Sequence, residues 1–339
     1  MIKLWPHLTT ITLIASLLIM QGTYAGSEKR GHDRSPEAEK SVDLKKGANP
    51  TVSELLRTKL KHGDTIIWHL YQSGFAVKTA RHLFIFDYWP ATDAPKGGGG
   101  LRRGFVNPEE IGKQDAVVFV SHCHLDHWYP GCLPWKEKVT KIHYVVSPDV
   151  SRTRQGVITS LGPNETANIG DVHVTTLRST DVGVAFIVKT DGLTIYHSGD
   201  NACWNWDNHP QAKARFVTEH LNPLKGEKID IAMHVCDPRL RTRDWGGFVA
   251  FPREFKPGLL IPMHMEGRYE FTRMMESLLK EGGVQVPFWP IQRRGESIVF
   301  RAGKMEKPSI RTKREESQGP QRFSILRATG DPGCRACLA

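Results

Sequence analysis

The segment Ser121-His122-Cys123-His124-Leu125-Asp126-His127 constrains this chain more than any other stretch. It sets three imidazoles and one carboxylate within six consecutive positions, directly after the apolar run Ala116-Val117-Val118-Phe119-Val120. On an extended backbone alternate side chains share a face. His122, His124 and Asp126 are therefore expected to converge, while His127 points toward a second position. Two donor sets aimed at neighbouring points are what a dinuclear metal centre needs. Neutral imidazole and carboxylate suit Zn²⁺, with Mn²⁺ or Fe²⁺ as alternatives. The competing reading is a polar loop that happens to be rich in histidine.

The motif resembles the His-x-His-x-Asp-His signature of the metallo-β-lactamase superfamily. Other blocks resemble the same family in the same order. Ser73 to Thr79 followed by Leu83 to Tyr88 is similar to its opening hairpin. Thr194 to Asp200 is similar to the strand whose Gly-Asp supplies a bridging carboxylate, and Leu259 to His264 to the strand bearing the last His ligand. The resemblance spans roughly residues 51–300. It implies an α/β fold: an αββα sandwich of two packed mixed β-sheets flanked by helices. It also implies one or two divalent ions, with His122 and His124 on the first metal, Asp126, His127 and His264 on the second, and Asp200 between them. Ser179 to Gly183 and Asp237 to Leu240 look like a hydrolase branch near the lactonases and phosphodiesterases.

One departure stands out. The family usually has a further His before the strand corresponding to Val184–Val188, and Leu177 to Gly183 contains none. Asp181 is the candidate oxygen ligand there; its other reading is a turn residue ahead of Gly183, a place Asp favours.

A chain of 339 residues with 39% hydrophobic content can bury the core of one large domain. The formal charge of +10 is concentrated in Lys29–Lys46 and Arg301–Arg327, outside that domain, and so says little about a site. Nucleic acid is not the expected partner; a small-molecule substrate is. The N-terminus reads as an export signal over residues 1–25. Lys3 starts it, Leu8–Met20 is apolar apart from Thr and Ser, and Thr23-Tyr24-Ala25 offers small residues for cleavage. The run is shorter than the ~20 residues a membrane span needs. A periplasmic or secreted protein is expected, with residues 26–50 as a linker, 51–300 as the hydrolase domain and 301–339 as a basic tail. The six cysteines, Cys123, Cys132, Cys203, Cys236, Cys334 and Cys337, permit disulfides without fixing a pairing.

Periodicity predicts a helix over Ser53–His62, with further helices over Gln211–Leu221 and Phe271–Leu279. Strands are expected at Thr65–Leu70, Phe75–Val77, Leu83–Phe86, His143–Val146, Val172–Thr175, Val184–Val188, Leu193–Tyr196, Ile229–Val235, Leu259–Ile261 and Ile298–Phe300. Residues 96–103, Gly-rich and ending in two arginines, read as a basic lid or as a surface loop. They lack the strand-loop-helix setting and Lys-Ser/Thr ending of a nucleotide loop. His197 reads as a substrate-orienting group or as a packed strand residue. Asp237 and Arg239 read as groups that orient ligands, or as an ion pair closing a loop. Trp89, Trp128, Trp204 and Trp206 line a pocket or simply pack.

The expected chemistry is a metal-dependent hydrolase in which activated water attacks an ester, lactone or phosphodiester, with Asp126 as ligand and proton acceptor. The alternatives are a β-lactam hydrolase and a metal-binding member of the fold without turnover. The residues that contact substrate are not legible.

Overall fold

The computed structural model describes residues 50–92, 99–150, 158–204, 210–240 and 247–308. The expected signal, the linker up to residue 49, the tail from residue 309, Lys96–Gly98 of the Gly-rich loop, Trp206, Cys334 and Cys337 lie outside them.

Apolar runs of five to seven residues dominate the middle of the chain, and they become strands buried on both faces. The first sheet contains β1 (Thr65–Tyr71), β2 (Gly74–Lys78), β3 (His82–Phe86), β4 (Asp115–Val120), β5 (Lys141–Val146), β6 (Ile158–Ser160), β13 (Ser297–Arg301) and β14 (Lys304–Glu306). Its order is β14-β13-β1-β2-β3-β4-β5-β6. The second contains β7 (Thr166–Ile169), β8 (Val172–Arg178), β9 (Val184–Thr190), β10 (Leu193–His197), β11 (Ile231–Val235) and β12 (Leu259–Met263), in the order β12-β11-β10-β9-β8-β7. Both sheets are mixed. β3, β4, β5 and β6 run parallel, as do β10, β11 and β12, and the remaining pairs are antiparallel. This is the expected αββα sandwich.

The two-residue period of a strand sorts the first sheet's side chains between two apolar layers. Phe84, Phe86, Val117 and Phe119 face the core shared with the second sheet. Leu83, Ile85, Val118 and Val120 face a layer closed by α1 (Val52–Arg57) and a 3₁₀ segment, Pro130–Glu137. Burial on both faces explains the unbroken apolar runs. Phe248 and Phe251, at and just before α3 (Ala250–Phe255), and Met275 and Leu279 of α4 (Glu270–Glu281) belong to the core of the second sheet.

Several boundaries differ from expectation. The first helix starts earlier, because Thr51 rather than Ser53 caps it. Thr51 Oγ1 accepts from Glu54 N–H at 3.2 Å and Glu54 Oε2 accepts from Thr51 N–H at 2.7 Å, a capping box. The expected helix over Gln211–Leu221 is α-helical only at α2 (Ala212–Arg215) and widens to a π-turn over Phe216–Leu221. Phe216 and Leu221, five residues apart, are both buried, which suits i→i+5 winding. β14 pairs with β13, so the folded domain runs past residue 300. Leu101 of the Gly-rich loop is buried in the layer under α1, and Arg102 bonds the Pro50 carbonyl; this part is anchored as surface structure. Cys132, Cys203 and Cys236 are buried, and Cys123 is exposed. Among the described residues no helix is long and apolar enough to cross a membrane.

Candidate metal centre

Polar residues follow the C-terminal ends of parallel strands from both sheets and meet at one end of the sandwich, the edge where ligands bind in open α/β sheets. Asp87 follows β3, the histidine motif follows β4, Asp200 follows β10, Asp237 follows β11 and His264 follows β12. Glycine lets the loops approach. Gly183 (φ +74°) sits where a Cβ would overlap the Ser121 carbonyl, and Gly199 (φ +51°) where one would lie 2.6 Å from the Val184 carbonyl oxygen. Gln72, Asp87, His264 and Glu266 hold positive φ at this end without being glycine, a strain that packed surroundings must enforce.

Two donor groups form. His122, His124 and Asp200 make one; Asp126, His127 and His264 make the other; within each group, ligand atoms lie within 4.8 Å of one another. Asp200 divides between them: Oδ2 lies 3.5 Å from His122 Nε2, while Oδ1 lies 3.1 Å from His127 Nε2 and 3.3 Å from His264 Nε2. Asp126 Oδ2 is 3.6 Å from His127 Nε2 and 3.3 Å from His264 Nε2. His122 Nε2 and His124 Nδ1 face each other at 3.0 Å. The buried atoms His127 Nε2, His264 Nε2 and Asp200 Oδ1 have no hydrogen-bond partner. Close but misaligned, they surround one point as donors to a cation do.

Sequence reasoning from an extended motif grouped Asp126 with His122 and His124. The structure groups it with His127 instead, because the backbone turns after His124: the His127 N–H donates to the His124 carbonyl at 3.0 Å. Asp181 lines the cavity beside these groups but belongs to neither, and its N–H donates to Ser179 Oγ at 3.3 Å. His197 is a packed residue. Its Nε2 donates to the Ser73 carbonyl at 2.9 Å and its Nδ1 accepts from Gly199 N–H at 3.2 Å. His234 faces Phe248 and Phe251, away from the cluster.

The far ring nitrogens are held by carboxylates. His127 Nδ1 donates to Asp87 Oδ2 at 2.7 Å, and His264 Nδ1 donates to Asp237 Oδ2 at 2.7 Å. Ser121 Oγ donates to Asp87 Oδ2 at 2.6 Å and so is left to accept from His122 Nδ1 at 2.9 Å. Each arrangement fixes the tautomer and turns Nε2 toward the cluster, as outer partners of metal-bound histidines do. Asp237 is itself clamped by Arg239, whose guanidinium lies 5.5 Å from the Trp204 ring centre. Asp87 and Ser121 had no assigned role in the sequence. The signal for Asp87 is the apolar run Leu83–Phe86 ending in an aspartate.

The electrostatics favour a cation. Burial opposes charge on every group, yet mutual attraction overrides it in the second set. His127 is raised well above the usual imidazole range by Asp200 and Asp87, and His264 is raised to about 9 by Asp200, Asp126 and Asp237. Asp126 and Asp200 lie far below the usual carboxylate range because the histidine charges outweigh burial. His122 differs: burial, aided by His127, lowers it to about 4. The cavity over the cluster is about 160 Å³ and is lined by His124, Asp126, Asp181, Asp200, Trp204, Arg239 and His264. A larger groove of about 640 Å³ lies between Val52, Trp68 and Trp289 and contains none of the donor residues.

Mixed sheets packed face to face, with this cluster at the strand ends, define a metallo-β-lactamase fold. Residues 66–216 match the family described as a beta-lactamase superfamily domain. Over those residues the chain is similar to the metallo-β-lactamase superfamily. A UPF0173 metal-dependent hydrolase from Thermococcus kodakarensis is 28% identical over 184 residues, covering 49% of this chain and 72% of that protein. Igni18, a metallo hydrolase from the hyperthermophilic archaeon Ignicoccus hospitalis, is 15% identical with a TM-score of 0.50, over 70% of this chain and 99% of that one. The metallo-beta-lactamase fold protein YhfI from Bacillus subtilis is 15% identical with a TM-score of 0.46, over 70% of this chain and 100% of that one.

Proposed function

We propose that this protein is a metal-dependent hydrolase of esters, lactones or phosphodiesters. The observation that carries the reading is the convergence of His127 Nε2, His264 Nε2 and Asp200 Oδ1, buried and without hydrogen-bond partners. His122, His124 and Asp200 would hold one divalent ion, and Asp126, His127, His264 and Asp200 a second. Such ions polarise a carbonyl or phosphoryl oxygen and acidify water. Asp200 Oδ1 and Oδ2 face opposite donor sets and keep the two positions in register. Asp87 and Asp237 keep the imidazoles in the ligating tautomer. Asp126, part-exposed on the cavity wall, is the group placed to accept a proton. The small cavity admits only the reacting group, so the rest of a substrate lies over the rim. Leu125, between His124 and Asp126, is 78% exposed and offers an apolar side chain on the motif loop.

The first set contributes fewer protein donors, since no His stands in Leu177–Gly183. We expect dialysis to remove that ion first and leave one equivalent. Two equivalents retained in both the wild type and Asp181→Ala would show that the first set is complete without Asp181.

Turnover on a panel of lactones, p-nitrophenyl esters, phosphodiesters and β-lactams, with and without chelator, tests the function. Chelator-sensitive hydrolysis of an ester, lactone or phosphodiester supports it. Selective β-lactam turnover would redirect it, and tight metal binding without turnover on any member would favour a non-catalytic metal-binding protein.

A further inference from the structure

The β1–β2 turn reaches three ligand-bearing segments at once. Gln72 Nε2 donates to Asp126 Oδ2 at 3.1 Å. Gln72 Oε1 accepts from the Glu266 N–H at 2.7 Å, and the Gln72 carbonyl accepts from the His264 N–H at 3.2 Å. The Ser73 carbonyl next to it accepts from His197 Nε2, whose Nδ1 receives the Gly199 N–H just before Asp200. A two-residue turn of the first sheet thus touches the motif loop, the last residue of β10 and the loop after β12. Gln72 is 3% exposed and holds φ 49°, so its side chain is placed by a strained backbone rather than by chance contact at a surface.

The side-chain chemistry is selective. Only a carboxamide of this length both donates to the Asp126 carboxylate and accepts from the Glu266 amide. Leu or Met does neither, Glu accepts only, and Asn is one methylene short. The amide orientation follows too, because a flipped group would set its NH₂ against the Glu266 N–H and its oxygen against the carboxylate. Asp126 Oδ2, the atom Gln72 holds, is also the one nearest His127 Nε2 and His264 Nε2.

We infer that Gln72 is a positioning residue: it sets the Asp126 carboxylate and the His264 backbone at the spacing the second donor set requires. The inference rests on the metal-centre reading and concerns which residue outside the cluster builds it. Partners of this kind change metal affinity by about 10–100-fold when removed.

The test measures Zn²⁺ binding by chelator competition, with no substrate present. The first set is disabled by His122→Ala, so that one ion reports the second. Gln72→Met, close in size, is expected to weaken that ion about 10–100-fold, while the metal-free protein gives up only the two side-chain hydrogen bonds of Gln72 and still unfolds cooperatively. A double-mutant cycle then separates positioning from packing. In the Asp126→Asn background, Gln72→Met should lose most of its effect, because the group it positions is gone. An unchanged dissociation constant would overturn the inference. So would an equal loss in both backgrounds, the pattern of a structural residue. If the His122→Ala protein and the wild type both fail to bind Zn²⁺, the metal-centre reading falls and takes this inference with it; if they bind and Gln72→Met is silent, only the inference falls.

Discussion

The two ends of the sandwich bury charge in opposite ways. At the end away from the cluster, the β2–β3 turn of the first sheet meets the β7–β8 and β9–β10 turns of the second. Asp191 accepts from Thr79 Oγ1 at 2.7 Å, from the Arg81 N–H at 2.9 Å and from Arg81 Nε at 2.6 Å. Arg81 also reaches Asp171 at 2.5 Å, and His82 Nε2 lies 3.1 Å from the same carboxylate. Asp191, the buried carboxylate of that cluster, finds its donors within the turns, and the result is a clamp between sheets. At the other end, carboxylates and imidazoles are gathered just as closely, yet the buried His127 Nε2, His264 Nε2 and Asp200 Oδ1 make no hydrogen bond. Burial of polar groups is costly unless they are satisfied. A fold that keeps such a cluster open is built for a partner it does not itself encode.

That contrast breaks most sharply at Asp126. Asp126→Asn removes a ligand charge and the proton acceptor together, and general-base contributions alone are worth roughly 10²–10⁴-fold. Turnover should fall by at least that range while the variant still folds and unfolds cooperatively. Near wild-type kcat on the same substrate would show that this end does not perform the proposed chemistry.

Asp191→Ala is the mirror experiment. It leaves the Arg81 N–H without its acceptor and the buried Thr79 hydroxyl with only the His82 carbonyl at 3.4 Å, and places alanine at φ 49°. Hydrogen bonds to charged groups are worth about 1.5–3 kcal/mol each, so a loss of about 3 kcal/mol is expected in denaturant unfolding. Zn²⁺ affinity and KM should be untouched. A variant of normal stability, or one that loses metal while fully folded, would erase the distinction between clamp and site.

The sequence exposed these two ends unequally. The donors His122, His124, His127, Asp200 and His264 were legible because each follows an apolar run, and polar chemistry at a strand end has few structural uses. Asp87 carried the same mark after Leu83–Phe86 but stood alone, without a motif around it. Gln72 carried no mark: its role depends on a turn from one sheet meeting two loops of the other, and no local pattern records that. The backbone turn at His124 is hidden because Cys-His-Leu-Asp contains no Gly or Pro, so the extended reading groups Asp126 with His122 and His124, whereas the family resemblance puts it with His127 and His264, as the structure does. β6 and β14 are three residues long, too short for alternation to show. The clamp was invisible for the same reason as Gln72, since Arg81, Asp171 and Asp191 are far apart in the chain.

His234 limits what an unpartnered polar group can mean. Both its ring nitrogens are buried without a hydrogen-bond partner, as His127 Nε2 and His264 Nε2 are. Its surroundings differ: Phe251 lies 4.6 Å from its ring centre and Phe248 6.2 Å, and no carboxylate shifts its charge. Convergence with acidic donors, then, separates a cation site from an isolated buried imidazole. Burial alone lowers His234 to about 3 from 6.5, so the folded protein holds it neutral. The unfolded chain takes up the proton first as pH falls. Stability from this group is therefore complete above about pH 6.5 and is lost as pH drops toward 3, reaching roughly 2 kcal/mol by pH 5. His234→Phe should remove that share of the slope of unfolding free energy between pH 7 and 5. His69, lowered to about 4 by burial against the pull of the Gln72 and Arg293 carbonyls, should keep a similar share in the variant. Unfolding the metal-free protein at each pH keeps ligand titration at the cluster common to both chains, so their difference reports His234. An unchanged slope would mean that His234 is not held neutral in its aromatic surroundings, and isolation would no longer distinguish it from the cluster.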